Sequence, residues 1–183
     1  MKKIFIATLC LAITTICFGQ QFAALDKSPM DMAYFPNNFA HDRKGNDKAI
    51  IRVLYSRPAT NGREVIGKLV PYGKVWRAGA NEASEIKFYQ DVELAGKKVK
   101  AGTYSLFAIP GEKEWTIILN NDLDYWGAYS YKEGSDVLRV TAPASKTSSP
   151  VENFTIQMDK KSGNEGVMKL AWETTLVEVP FKY

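Results

Sequence analysis

The sequence predicts an all-β protein: a single antiparallel β-sandwich or jelly-roll-like domain of about eight or nine strands. Three observations lead there. Short runs rich in β-branched and aromatic residues recur between turn residues from Ala49 onward. No amphipathic helical run exceeds about ten residues. The 183-residue chain is 45% hydrophobic and 24% charged, a globular composition of a length that suits one domain.

The strands follow in order. AIIRVLYS (49–56) is apolar and β-branched and ends before Pro58 and Asn61-Gly62. SEIKFYQ (84–90) alternates Ile86 and Phe88 with Lys87 and Tyr89. VEL (92–94) and KKV (97–99) flank Ala95-Gly96, a hairpin turn. GTYSLFAI (102–109) stops at Pro110-Gly111, and EWTIILN (114–120) follows a short turn. SDVLRVTA (135–142) and ENFTIQMD (152–159) both alternate, and TAPASKTSSP (141–150) reads as a loop between them. GVMKLAWETTLVEVPF (166–181) is long enough for one bent strand or two. The helical candidate is a single turn at Gly67–Val70.

Three segments are expected. Residues 1–19, MKKIFIATLCLAITTICFG, have a Lys2-Lys3 n-region, an apolar core and a small residue for cleavage between Gly19 and Gln20, the pattern of a secretory signal peptide. The run is shorter than the roughly 20 residues a membrane span needs. Bulky Ile16 before Cys17 departs from a lipoprotein signal. Residues 20–48 carry Pro29, Pro36 and Gly45 and read as an irregular N-terminal arm or linker, and residues 49–183 form the sandwich.

The expected location is therefore outside the cytoplasm, periplasmic or secreted. Cleavage removes Cys10 and Cys17, leaving no thiol for a disulfide, a metal site or a nucleophile. It also removes Lys2 and Lys3, so 24 cations become 22 against 20 acids and the formal charge falls from +4 to +2. That balance gives no reason to expect a nucleic-acid partner. No transmembrane segment is expected after cleavage, and no cofactor or metal.

Motif-like stretches carry little chemistry. GREVIGKL (62–69) lacks the hydroxyl that ends a phosphate-binding loop, since Leu69 stands there. His41 is the one histidine, and no G-x-S-x-G accompanies it. NNDLD (120–124) has no Gly or closing Glu at EF-hand positions and reads as a turn. The Asn153 sequon falls inside a strand. Trp115 and Trp172 lie in alternating strands and are expected in the core. Trp76 and Trp126 lie among turn residues, where they cap a sandwich end or stack on a ligand.

Several blocks together resemble a known family. SRP (56–58), GR (62–63), LVPYGKVWRAGANEAS (69–84), AGTYSLFAIPGEKEWTIILN (101–120), WGAY (126–129) and DVLRV (136–140) look like the bacterial family catalogued as domain of unknown function 2911. The likeness runs from about Asp47 to the C-terminal strands. It implies an exported protein with one β-rich domain, and it brings no catalytic residue with it.

The ligand-binding candidates are therefore chosen by chemistry: Arg57, Trp76, Arg77, Asn81, Glu82 and Trp126. Arg77 has a planar fork suited to a carboxylate or phosphate, or it pairs with Glu82 or Glu85 and pins its loop. Glu82 is the weak catalytic candidate, with Glu85, Asp122 or Asp124 as a second carboxylate. Three roles follow. The first, a non-catalytic envelope module binding a small molecule, glycan or protein, leads. A carboxylate-dependent hydrolase using Glu82 with Arg77, and a structural or assembly component, are the alternatives.

Overall fold

The computed structural model describes residues 22–183. The expected signal peptide and both cysteines lie outside the described residues. Nine strands form one sheet: β1 (Met30–Phe35), β2 (Ile51–Ser56), β3 (Ser84–Phe88), β4 (Val92–Leu94), β5 (Lys97–Val99), β6 (Gly102–Ile109), β7 (Glu114–Asn120), β8 (Asp136–Lys160) and β9 (Glu165–Lys182). Their order is β1-β2-β3-β6-β7-β8-β9-β4-β5, and every neighbouring pair is antiparallel. A short helix α1 (Phe39–Asp42) and a 3-10 turn at Glu133–Ser135 complete the elements among the described residues.

The sheet folds over one core because β8 serves both halves. Asp136–Pro143 pairs with β7, and from Ala144 onward the same strand pairs with β9. The far half of β8 then returns beside the end of β2. Phe154 N–H donates to Pro58 O at 2.9 Å, Thr60 N–H to Glu152 O at 2.9 Å, and Tyr55 Oη to Ile156 O at 3.2 Å. Inside, Trp76, Trp115, Phe154 and Trp172 pack ring on ring. Such pairs add about 0.5–1.5 kcal/mol each beyond the area they bury.

The strands of the hairpins and the central sheet lie where alternation places them. The turn between β4 and β5 has both central residues at positive φ, Ala95 at 45° and Gly96 at 82°. That is the left-handed pair a tight two-residue hairpin requires.

Three expectations change. The stretch 141–150 is not a free loop. It stays within β8, and the pairing with β9 is interrupted only between Lys146 and Val151 and again before Thr155. Opposite it, Glu173 is left-handed (φ 56°), a β-bulge in β9. The bulge inverts the inward phase, from Met168, Leu170 and Trp172 to Val177, Val179 and Phe181. The Ser/Thr/Pro composition marks that irregularity and not a strand end.

The arm 20–48 is not irregular throughout. Met30–Phe35 adds to the sheet edge beside β2, and Phe35 is 1% exposed between Phe181 and Tyr183. Its side chains alternate weakly, since Met30 and Met32 are exposed while Asp31 and Ala33 are half-buried. A long-range partner decides this strand, and local pattern does not. At Gly67–Val70 there is no helix. The chain closes instead through Gly67 N–H to Val70 O and Val70 N–H to Val65 O.

Candidate functional site

β6 and β7 are buried on both faces. Leu106, Ala108, Ile117 and Leu119 point into the main core, while Phe107 and Ile118 point out and are equally buried. Two loops cover that outer face. Val75 and Ala83 come from one, Tyr125, Ala128 and Tyr131 from the other, and Phe107 meets Tyr125 and Tyr131 edge to face.

The segment 74–84 follows from its pairing. Trp76 N–H donates to Ala108 O at 2.7 Å, and Ala108 N–H returns a bond to Trp76 O at 2.8 Å. The segment thus extends the β3 side of β6 for one bridge. Side chains alternate across a strand. Trp76 therefore turns inward and its neighbours Val75 and Arg77 turn outward. The reading of Trp76 as an end cap is corrected: it is 8% exposed, stacks on Trp172 at 5.9 Å, and its indole N–H donates to Gly79 O.

Arg77 is half-buried on the outer face. The expected pair with Glu82 or Glu85 does not form. Glu85 faces Arg52 at 3.8 Å, and among the described residues Arg77 has no ion pair and no side-chain hydrogen bond. Its Nε is shielded from solvent and unbonded. Arg52 and Arg139 share an unbonded Nε, but each has a carboxylate close by, Glu85 at 3.8 Å and Asp136 at 3.0 Å. Burial pushes the Arg77 guanidinium below its ordinary value, opposed by the Tyr129 hydroxyl.

The two loops are stitched together. Ala83 N–H donates to Tyr125 O at 3.0 Å and Gly127 N–H to Asn81 O at 2.9 Å, so that Glu82 and Trp126 form an antiparallel bridge. Asn81 is left-handed (φ 57°), and its amide reaches Asp26 at 3.0 Å. Trp126 is 62% exposed and Tyr129 85%. Gly127 has φ +69°, and a Cβ there would stand 2.8 Å from the Tyr129 ring, so glycine lets that ring lie against the chain.

Glu82 also lines a concavity of about 240 Å³ with Glu85 and Asp124, over Leu54 and Tyr125. Asp122 lies apart from it. Tyr125 Oη donates to the Asp122 carboxylate, which Lys132 also approaches, and these bonds hold it below the usual carboxylate range. That cluster fixes the cover loop, as does Tyr131, whose hydroxyl donates to Asp136 at 2.5 Å and is pushed up to about 12 by burial first and by Asp136 next.

The structure thus divides the six candidates. Asn81, Glu82 and Trp126 come together, with Arg77 on the same cover. Trp76 is core. Arg57 is committed within the protein: it donates to Asp31 at 2.8 Å, Phe154 O at 3.1 Å and Thr155 at 2.9 Å, tying β1 and β2 to β8. Tyr129 was missed. Its signal was Gly127 two residues earlier, together with strands apolar on both faces, which require a covering loop. Among the described residues no group of three or more His, Cys, Asp or Glu is placed to hold a metal ion, and no helix is long and apolar enough to cross a membrane.

No curated protein and no solved structure matches the chain. The family model described as "Protein of unknown function (DUF2911)" matches residues 36–181, which begins upstream of the Asp47 boundary read from the motif blocks and takes in α1. This chain belongs to the DUF2911 family.

Proposed function

We propose that this protein is an exported envelope module that binds an anionic ligand, a carboxylate or phosphate on a flat apolar body, at the cover formed by residues 74–84 and 121–132. One observation carries the reading: Arg77 is a half-buried guanidinium with no counter-charge among the described residues and an unbonded Nε. Its terminal nitrogens have no protein partner among the described residues and face solvent, so an incoming anion bonds there and offsets a charge that burial disfavours. Arginine offers two parallel donors to such a group. Trp126 and Tyr129, exposed on the same cover, supply apolar faces for the rest of the ligand.

Titration with benzoate and phenyl phosphate, followed by thermal shift and calorimetry, tests this. Binding that is lost in Arg77→Met supports it. Absence of binding by the native protein, or equal binding by the variant, rejects it.

A second reading, a carboxylate-dependent hydrolase, starts from Glu82, which is exposed, lining one concavity with Glu85 and Asp124. Chromogenic glycosides and esters test it, with Glu82→Gln as the control. No turnover above that variant rejects it.

A further inference from the structure

A second concavity, of about 400 Å³, lies where β8 and β9 lose register. It is independent of the Arg77 cover. Its size falls in the ~300–1,000 Å³ range of small-molecule sites. Its walls combine Glu64, Glu112, Glu173, Lys146 and Thr175, with Tyr72 at 43% exposure. The lining thus offers carboxylate acceptors, an ammonium donor and a hydroxyl, with both signs of charge represented.

The aromatic ring lies against the Gly67 turn. Gly67 has φ +88°, and a Cβ there would stand 2.7 Å from Tyr72 Cε2. No other residue at position 67 lets the ring lie where it does. The Gly67 turn is in turn held from below. Glu173, left-handed in the bulge, accepts from the Val65 and Ile66 N–H groups at 3.1 and 3.2 Å. A residue held in a sparsely populated backbone conformation recurs at functional sites.

We propose that this concavity is a binding site for a neutral oligosaccharide. A sugar presents alternating hydroxyl donors and acceptors, which the mixed lining meets, and an apolar C–H face, which the exposed Tyr72 ring meets. An anionic ligand would face the Glu64, Glu112 and Glu173 carboxylates, and a cationic one would face Lys146.

The test uses cellotetraose, maltotetraose and the tetramer of N-acetylglucosamine, titrated into the protein and followed by calorimetry and NMR. At least one is expected to bind. Tyr72→Ala is expected to weaken that binding by about tenfold, and Tyr72→Phe to retain it. Gly67→Ala, which displaces the ring, is expected to act like Tyr72→Ala. Arg77→Met is expected to leave saccharide binding unchanged, which separates this site from the anion site. No binding of any of the three at millimolar concentration overturns the proposal, as does binding that Tyr72→Ala leaves within twofold.

Discussion

Arg77→Met distinguishes a ligand-binding arginine from one that pins a loop. Methionine keeps most of the apolar stem that packs on the cover and removes the fork. The unbonded Nε carries a desolvation cost of about 1–3 kcal/mol in a fully buried setting, and less here because the group is half-exposed. Among the described residues no ion pair is lost in exchange. The variant is therefore expected to be as stable as the native protein or up to about 1 kcal/mol more stable, a rise in Tm of about 2–4 °C for a chain of this size. Phenyl phosphate should reverse the order. At about a hundredfold over Kd it adds about 2.7 kcal/mol to the native protein and nothing to the variant. Urea unfolding with and without the ligand measures both. A loss of more than about 1 kcal/mol in ligand-free Arg77→Met would show that Arg77 holds the loop, and the reasoning would fail.

Other predictions address the frame. Trp76→Ala is expected to cost about 3–5 kcal/mol in urea unfolding, because the indole joins three aromatic neighbours in the core. A cost under about 1 kcal/mol would return Trp76 to the surface. Glu173→Ala should lose about 1–3 kcal/mol by leaving two N–H groups unpaired, while Glu173→Gln, which keeps an acceptor, should lose less. Arg57→Ala should raise hydrogen exchange across Met30–Phe35, since it unties β1 from β8. The Tyr131 contribution to stability should be fully present below the ordinary tyrosine value of 10.0 and fall as pH rises to about 12, because folding raises the Tyr131 value. Tyr131→Phe should flatten that fall.

The sequence was legible where period-two alternation coincided with turn residues. The β4–β5 hairpin and the limits of β6 and β7 follow from Ala95-Gly96 and Pro110-Gly111. It was misleading where turn residues sit inside a strand. Pro143 and Pro150 suggest strand ends, yet β8 runs through both, since its irregularity opposes the Glu173 bulge. It was silent on β1, whose pairing with β2 is decided by a partner about twenty residues away.

At the candidate site the residue types were readable and their directions were not. Trp76 and Arg77 look alike in a turn-rich segment. A single bridge to Ala108 sends one into the core and the other out. The joining of Glu82 to Trp126 depends on two loops crossing a sheet face, which no local pattern records.

The central claim is that an anion is held at Arg77 on the cover carrying Trp126. Titrating labelled protein with phenyl phosphate, while following the arginine Nε–H and tryptophan indole N–H resonances, tests it most directly. The account predicts saturable shifts at Arg77 and Trp126, with Trp76, Trp115 and Trp172 unmoved in the core. Unchanged Arg77 and Trp126 resonances, or shifts confined to other residues, would contradict it.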